Sequence, residues 1–167
     1  IGAMRNEIEI LHSRMDAARE ETIAGMTFYD GMMGKTRIVL VESGIGKVNA
    51  ALGAQRMINS FQPDVIISSG CAGGNGDDVN VQDVVVSSEL TYHDVYCGTA
   101  IDNTTQYGQV QGLPARYQAD PKLLAIAKKL KVDIALHDGL IVTGDWFVDS
   151  KEKMREIVGH FPEAKES

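Results

Sequence analysis

The stretch Asp64-Val-Ile-Ile-Ser-Ser-Gly-Cys-Ala-Gly-Gly74 constrains the chain most, because an unbroken apolar run passes directly into a turn of very small residues. Val65, Ile66 and Ile67 are β-branched and uncharged, which predicts a strand buried on both faces, as in a parallel sheet. Gly70, Ala72, Gly73 and Gly74 then leave little side-chain bulk between the backbone and a ligand. Open α/β sheets bind ligands beyond the carboxyl ends of their strands, so this turn is a candidate site. A plain strand-to-loop junction would have the same composition, and the stretch alone does not choose between the two.

The flanking segments extend the alternation. Met4, Ile8, Leu11, Met15 and Ala18 recur at helical spacing and predict a helix from about Met4 to Arg19. Glu7 interrupts that apolar face between Met4 and Leu11, in the first turn, where the helix dipole favours an anion. A dipole-improving acid is the commoner meaning of such a residue. Met26–Asp30 and Thr36–Val41 read as strands of a hairpin around Gly31-Met-Met-Gly34. Ser43-Gly-Ile-Gly-Lys47 leads into Val48, Ala51, Leu52, Ala54, Met57 and Ile58, a helix of about three turns whose small residues allow close packing on a sheet. Its two glycines could offer backbone amides to an anion. The motif is neither a P-loop nor GxGxxG, so a tight strand-to-helix turn explains it equally.

Val84–Ser88 reads as a strand leading to Tyr92-His-Asp94. Adjacent strand residues point to opposite faces, so His93 and Asp94 are read as a structural or interface pair rather than a catalytic dyad. From Val95 to Gln118 a long loop carries Tyr96, Tyr107 and Tyr117; loops of that length are commonly functional or bridge subunits. Asp120 and Pro121 start a helix with Leu123, Leu124, Ala127 and Leu130 inward. Asp138–Thr143 is a further buried strand ending at Gly144, and Asp149 or Ser150 caps a helix through His160 that Phe161-Pro162 stops. The whole predicts an α/β fold with a mixed, largely parallel central sheet flanked by helices.

Composition narrows the partners. The 167 residues carry 16 basic and 23 acidic side chains, a net charge of −7, which gives no electrostatic support to a nucleic-acid or anionic-membrane partner. A small-molecule ligand is the better expectation. Cys71 and Cys97 form no CxxC or Cys/His cluster, so neither a metal site nor a disulfide framework is indicated, and reduced thiols in a cytoplasm fit best. No apolar run is long enough to span a membrane. Both ends read as cut: Ile1-Gly-Ala-Met4 has no initiator methionine ahead of it, and Lys165-Glu-Ser167 stops where another strand is due.

Taken together, Ile1-Gly-Ala-Met4 with Glu7, Ser43-Gly-Ile-Gly-Lys-Val48, Pro63-Asp-Val-Ile-Ile67, Gly70-Cys-Ala-Gly-Gly74, Val84-Val-Val-Ser87, Tyr92-His-Asp94, Tyr107-Gly-Gln109 and Gly139-Leu-Ile-Val-Thr-Gly-Asp145 with Phe147 stand in a distinctive order and spacing. The chain resembles the 5′-methylthioadenosine/S-adenosylhomocysteine nucleosidases of the purine nucleoside phosphorylase-like superfamily, from residue 1 to about residue 164. The resemblance implies one nucleosidase domain over residues 1–167, phosphorylase/hydrolase-like in fold and lacking the family's C-terminal βα segment. It also implies hydrolysis of the N-glycosidic bond, releasing adenine and a thioribose, with no cofactor.

By the same resemblance Glu7 is the water-activating carboxylate, and an acid at an apolar edge suits a general base because partial loss of solvent favours proton uptake. Ala72 and Gly73 lie along the purine, Phe147 stacks on adenine, and Val148 reads its edge through the backbone. Ala3, Met4 and Ile45 stand near the sugar and its 5′-substituent, where their apolar character suits a thioether. Cys71 replaces a serine common in the family, and a thiol is the weaker hydrogen-bond partner. Glu166 resembles the ribose-binding glutamate of a Met-Glu-Ser/Ala motif. The acid that protonates the purine and an arginine near the catalytic water belong to the missing segment, so a chain ending at Ser167 is expected to hydrolyse very weakly. The resemblance further implies a homodimer in which the loop from Tyr92 to Leu113 helps close the neighbour's pocket, and a place in methionine salvage. The rival readings are a phosphorylase that transfers the sugar to phosphate, and a catalytically inactive, truncated nucleoside-binding subunit.

Overall fold

A computed structural model describes residues 1–75, 79–98 and 104–166. The backbone divides into two compact units, Ile1–Cys71 and Ala72–Ser167.

In the first unit, helix α1 (Arg5–Ser13) is followed by three strands, β1 (Asp16–Ile23), β2 (Met26–Met33) and β3 (Thr36–Val41), and by helix α2 (Lys47–Phe61). The strands form an antiparallel sheet in sequence order. The expected helix to Arg19 is therefore corrected: it stops at Ser13, and Ala18 lies in a solvent-exposed strand. Helical spacing continued on paper, but pairing Arg19 with Asp30 and Ile23 with Met26 gives the same residues a ladder of backbone hydrogen bonds. The strand reaches this ladder through a register shift between Asp16 and Arg19, where Ala17 takes a φ of 51°. Strand β2 also runs further than expected, to Met33, leaving Gly34 and Lys35 as a two-residue turn with Gly34 at a φ of 61°.

Met26, Phe28, Val41 and Met57 form the core of this unit, with Phe28 and Phe61 ring centroids 5.2 Å apart. On α2 only Gly53 and Met57 are buried, whereas Val48, Leu52 and Ile58 of its apolar face are exposed. Gly53 allows the helix to lie against Ser43, whose Cβ would be 3.0 Å from an added methyl.

The expected buried strand at Val65–Ile67 is not formed. Val65, Ile66 and Ile67 are 49%, 39% and 63% exposed. Two backbone hydrogen bonds flank Ile1, from its amine to the Ile67 carbonyl at 2.8 Å and from the Ser69 amide to its carbonyl at 3.0 Å. Contact with one residue does not make a ladder, and β-branched composition reflects fit to a covered sheet rather than an intrinsic strand.

The second unit contains β4 (Val84–Tyr92), β5 (Tyr117–Gln118), helix α3 (Pro121–Ala127), β6 (Leu136–Thr143), helix α4 (Lys151–His160) and β7 (Ala164–Glu166). Its sheet has the order β5-β4-β6-β7; β6 is parallel to both β4 and β7, and β5 is antiparallel to β4. The chain is thus α/β, with a mixed sheet whose central pairings are parallel. Leu140, Val142, Ile157, Phe161 and Ala164 form its core, with Tyr107 and Val148 packed on them. Both helix starts follow from local chemistry: the Asp120 carboxylate accepts from the amides of Lys122 and Leu123, and the Ser150 hydroxyl from that of Lys153. Leu130, expected inward, lies past the end of α3 and is exposed.

Candidate active site

Glu7 occupies the third position of α1, from which its side chain turns back over the helix start. One carboxylate oxygen accepts hydrogen bonds from the backbone amides of Ala3 (2.6 Å) and Met4 (2.9 Å). The bond from Met4 is the reciprocal half of a capping box, in which the acid satisfies the N-cap amide. The other oxygen accepts from the Cys71 amide at 3.0 Å. The apolar edge read in the sequence is present as well: Glu7 is half-buried and Ile8 beside it is 1% exposed.

The N-terminal segment that supplies these amides is itself fixed by the end of β3. Gly2 donates to Val41 and accepts from Ser43, while Ala3 accepts from Gly44 at 3.1 Å. Ala3, Met4, Glu7, Gly44 and Cys71 are therefore brought together by hydrogen bonds. Ile45 follows Gly44 directly and is 70% exposed, with its carbonyl bonded to Asn49.

In the second unit the chain leaves β6 at Thr143 and runs through Asp145-Trp-Phe-Val148 to the cap of α4. Phe147 is 83% exposed, which rules out a core aromatic, whereas Val148 packs on the apolar core. The Phe147 carbonyl accepts from the Asp149 amide and from the Lys153 ammonium at 3.2 Å. Ala72 and Gly73 are exposed, and the neighbouring Gly74 and Asn75 are bonded to β7 through Glu166, Lys165 and Ala164. Glu166 is half-buried, and loss of solvent pushes its carboxyl above the usual range, with His137 opposing this weakly.

The phosphorylase superfamily model matches residues 1–164. A 5′-methylthioadenosine/S-adenosylhomocysteine nucleosidase from an Exiguobacterium species is 43% identical over 164 residues, covering 96% of this chain and 69% of that protein. The chain belongs to this nucleosidase family. Solved structures agree. The Neisseria meningitidis nucleosidase in complex with methylthio-immucillin-A superposes with a TM-score of 0.91 at 41% identity, covering 99% of this chain and 71% of that one. The Colwellia psychrerythraea enzyme in complex with adenine gives a TM-score of 0.93 at 38% identity, covering 99% and 69%.

Several glycines that shape these two places had no specific contact assigned to them in the sequence. Gly70 is one: a methyl group on it would sit 2.6 Å from a Glu7 oxygen and 3.0 Å from the carboxyl carbon. Gly2 is another, since its Cβ would lie 2.7 Å from Ile8 and 3.1 Å from the Glu7 Cβ. Their presence in glycine-rich motifs was visible, but which atom each must admit was not. Gly144 is a third, pressed between His93 and Asp94. Among the described residues, no group of three or more His, Cys, Asp or Glu side chains is placed to hold a metal ion.

Proposed function

We propose that this chain hydrolyses the N-glycosidic bond of 5′-methylthioadenosine and S-adenosylhomocysteine, releasing adenine and the thioribose product, with Glu7 as the base that activates water. The observation that carries the reading is the seating of Glu7. Three backbone amides use three of the roughly four acceptor positions of a carboxylate, fixing both oxygens and leaving one acceptor position for a water. As the bond from the sugar to the purine breaks, positive charge develops on the sugar and the purine leaves with a proton, whose donor, by the family resemblance, is an acid outside residues 1–167. The activated water adds to the sugar carbon, and its proton passes to Glu7. A positioned base contributes ~10²–10⁴-fold to such a step.

The binding roles follow the same reading. The exposed ring of Phe147 offers a face for adenine, and stacking on an aromatic ring accepts any base, so selectivity comes from backbone groups such as those of Val148, Ala72 and Gly73. Ala3, Met4 and Ile45 provide apolar surface for the thioether side of the substrate, with Cys71 beside the base and Glu166 for the sugar hydroxyls. The homodimer, the cytoplasmic location, the role in methionine salvage and the single domain over residues 1–167 belong to this proposal. The unburied apolar side chains of α2 and the free thiols of Cys71 and Cys97 are compatible with the first two. Among the described residues no helix is long and apolar enough to cross a membrane.

The test is Glu7→Gln, which keeps the shape and removes the base. Adenine release should fall by ~10²–10⁴-fold with the fold retained by circular dichroism. Near-native release would remove Glu7 from the mechanism. Running the wild-type assay with and without phosphate separates hydrolysis from phosphorolysis, and a negative charge at Glu7 opposes an incoming phosphate.

A further inference from the structure

Parallel strands β4 and β6 end together, with Tyr92 opposite Thr143, and the residues that follow each strand clasp one another. The His93 amide donates to the Thr143 carbonyl at 2.9 Å. His93 is 3% exposed, and its ring meets the edge of Trp146 at 5.3 Å between centroids, tilted by 61°. One carboxylate oxygen of Asp94 accepts the Asp145 amide at 2.7 Å. Between the two side chains lies Gly144, where an added Cβ would be 2.6 Å from the Asp94 carboxyl carbon and 2.6 Å from the His93 ring.

From these contacts we infer that His93 and Asp94 are positioning residues for adenine binding, acting through the 145–148 segment; this rests on the assignment of Phe147 to the purine. An 83% exposed ring has few contacts of its own, so its orientation depends on the backbone beneath it. That backbone is fixed at one end by Asp94 on the Asp145 amide and His93 on Trp146. At the other end it is fixed by the α4 start, through Ser150 and Lys153. The two side chains need not orient each other. Each holds a different atom of the same short segment, and Gly144 lets both approach.

Trp146 is the only tryptophan in the chain, so its fluorescence reports adenine binding without requiring turnover. Titration with adenine should show Phe147→Ala weakened by about tenfold or more, from the loss of stacking. Asp94→Ala should be weakened by about tenfold, the size expected when one charge-assisted hydrogen bond is lost. Asp94→Asn keeps an oxygen that can accept the Asp145 amide and should return to within about threefold of wild type. Asp94→Glu, which keeps the charge but shifts the oxygen by a methylene, should remain weakened, and it provides the test if Asp94→Ala does not fold. The Asp94→Ala/Phe147→Ala double variant should bind no more weakly than Phe147→Ala alone, because both act through one ring. In turnover, Asp94→Ala and Asp94→Glu should raise KM with kcat little changed, and Asp94→Asn should restore KM. Wild-type affinity in Asp94→Ala or Asp94→Glu, together with weak binding by Phe147→Ala, would overturn the inference and leave the Phe147 assignment standing. Unaltered adenine affinity in Phe147→Ala would overturn that assignment and the inference with it.

Discussion

Glu7 and Phe147 are presented in opposite ways. The carboxylate is half-buried and its own atoms are bonded, two amides to one oxygen and one to the other. The Phe147 ring stands in solvent, and it is the backbone of its segment, at the Asp145 amide and the Phe147 carbonyl, that is bonded. The difference follows from the two tasks proposed for them. A base must hold one atom in place, because displacement by ~1 Å can cost ~10²-fold in rate. A stacking face must stay uncovered until a ligand arrives, so rigidity has to be supplied from below.

Beyond removal of the carboxylate itself, the largest effect should come from Gly70→Ala. Its methyl group would occupy space 2.6 Å from a Glu7 oxygen, so the carboxylate must move. We expect kcat to fall by ~10²-fold with KM little changed in a steady-state adenine-release assay. A kcat within a few-fold of wild type would show that the base does not need its tight seat, and the contrast with Phe147 would lose its meaning.

Cys71→Ser sharpens the same point with a small effect. The contact from Cys71 to Glu7 is made by the backbone amide, which serine retains, so turnover should stay within about twofold and stability within about 0.5 kcal/mol. A larger change in kcat would show that the side chain, not the peptide, serves the carboxylate.

The smallest effect is expected at the outer end of the Phe147 segment. Lys153, by its hydrogen bond first and its charge second, holds the Asp149 carboxyl below the usual carboxylate range. The folded chain therefore binds this proton less readily than the unfolded one. The contribution is complete above the ordinary aspartate value of about 3.9 and is lost as pH falls through the lower folded value. Both side chains are exposed, so solvent screens the pair. Lys153→Met should change adenine affinity at neutral pH by under about twofold and move the acid-unfolding midpoint, followed by Trp146 fluorescence, slightly upward. An unchanged midpoint would show that the pair contributes nothing to holding this segment.

The legible parts of the molecule were those decided within a few residues. Asp120 before Pro121, and Ser150 ahead of α4, specify helix starts because the side chain bonds amides two or three positions on. Glu7 stood out for a similar reason, as an acid on an apolar face in a first turn. Less legible was anything that depended on a distant partner. Ala18 fitted helical spacing but lies in a strand, between Asp16 and Arg19, both of which pair with β2. Val48, Leu52 and Ile58 marked an apolar face, but periodicity cannot say whether another element covers it. His93 and Asp94 read as a structural or interface pair because neighbours on a strand face opposite ways; the strand in fact ends at Tyr92, and both side chains reach Gly144.

By itself the sequence determined an α/β alternation, its helix caps, the base candidate and the family, since each is carried by local chemistry or by motif order. Only the tertiary structure decided which amides hold Glu7, why Gly70 and Gly144 must lack a Cβ, and that Val65–Ile67 forms no strand. Those outcomes depend on atoms brought within about 3 Å from positions far apart in the chain, and no local pattern records that distance.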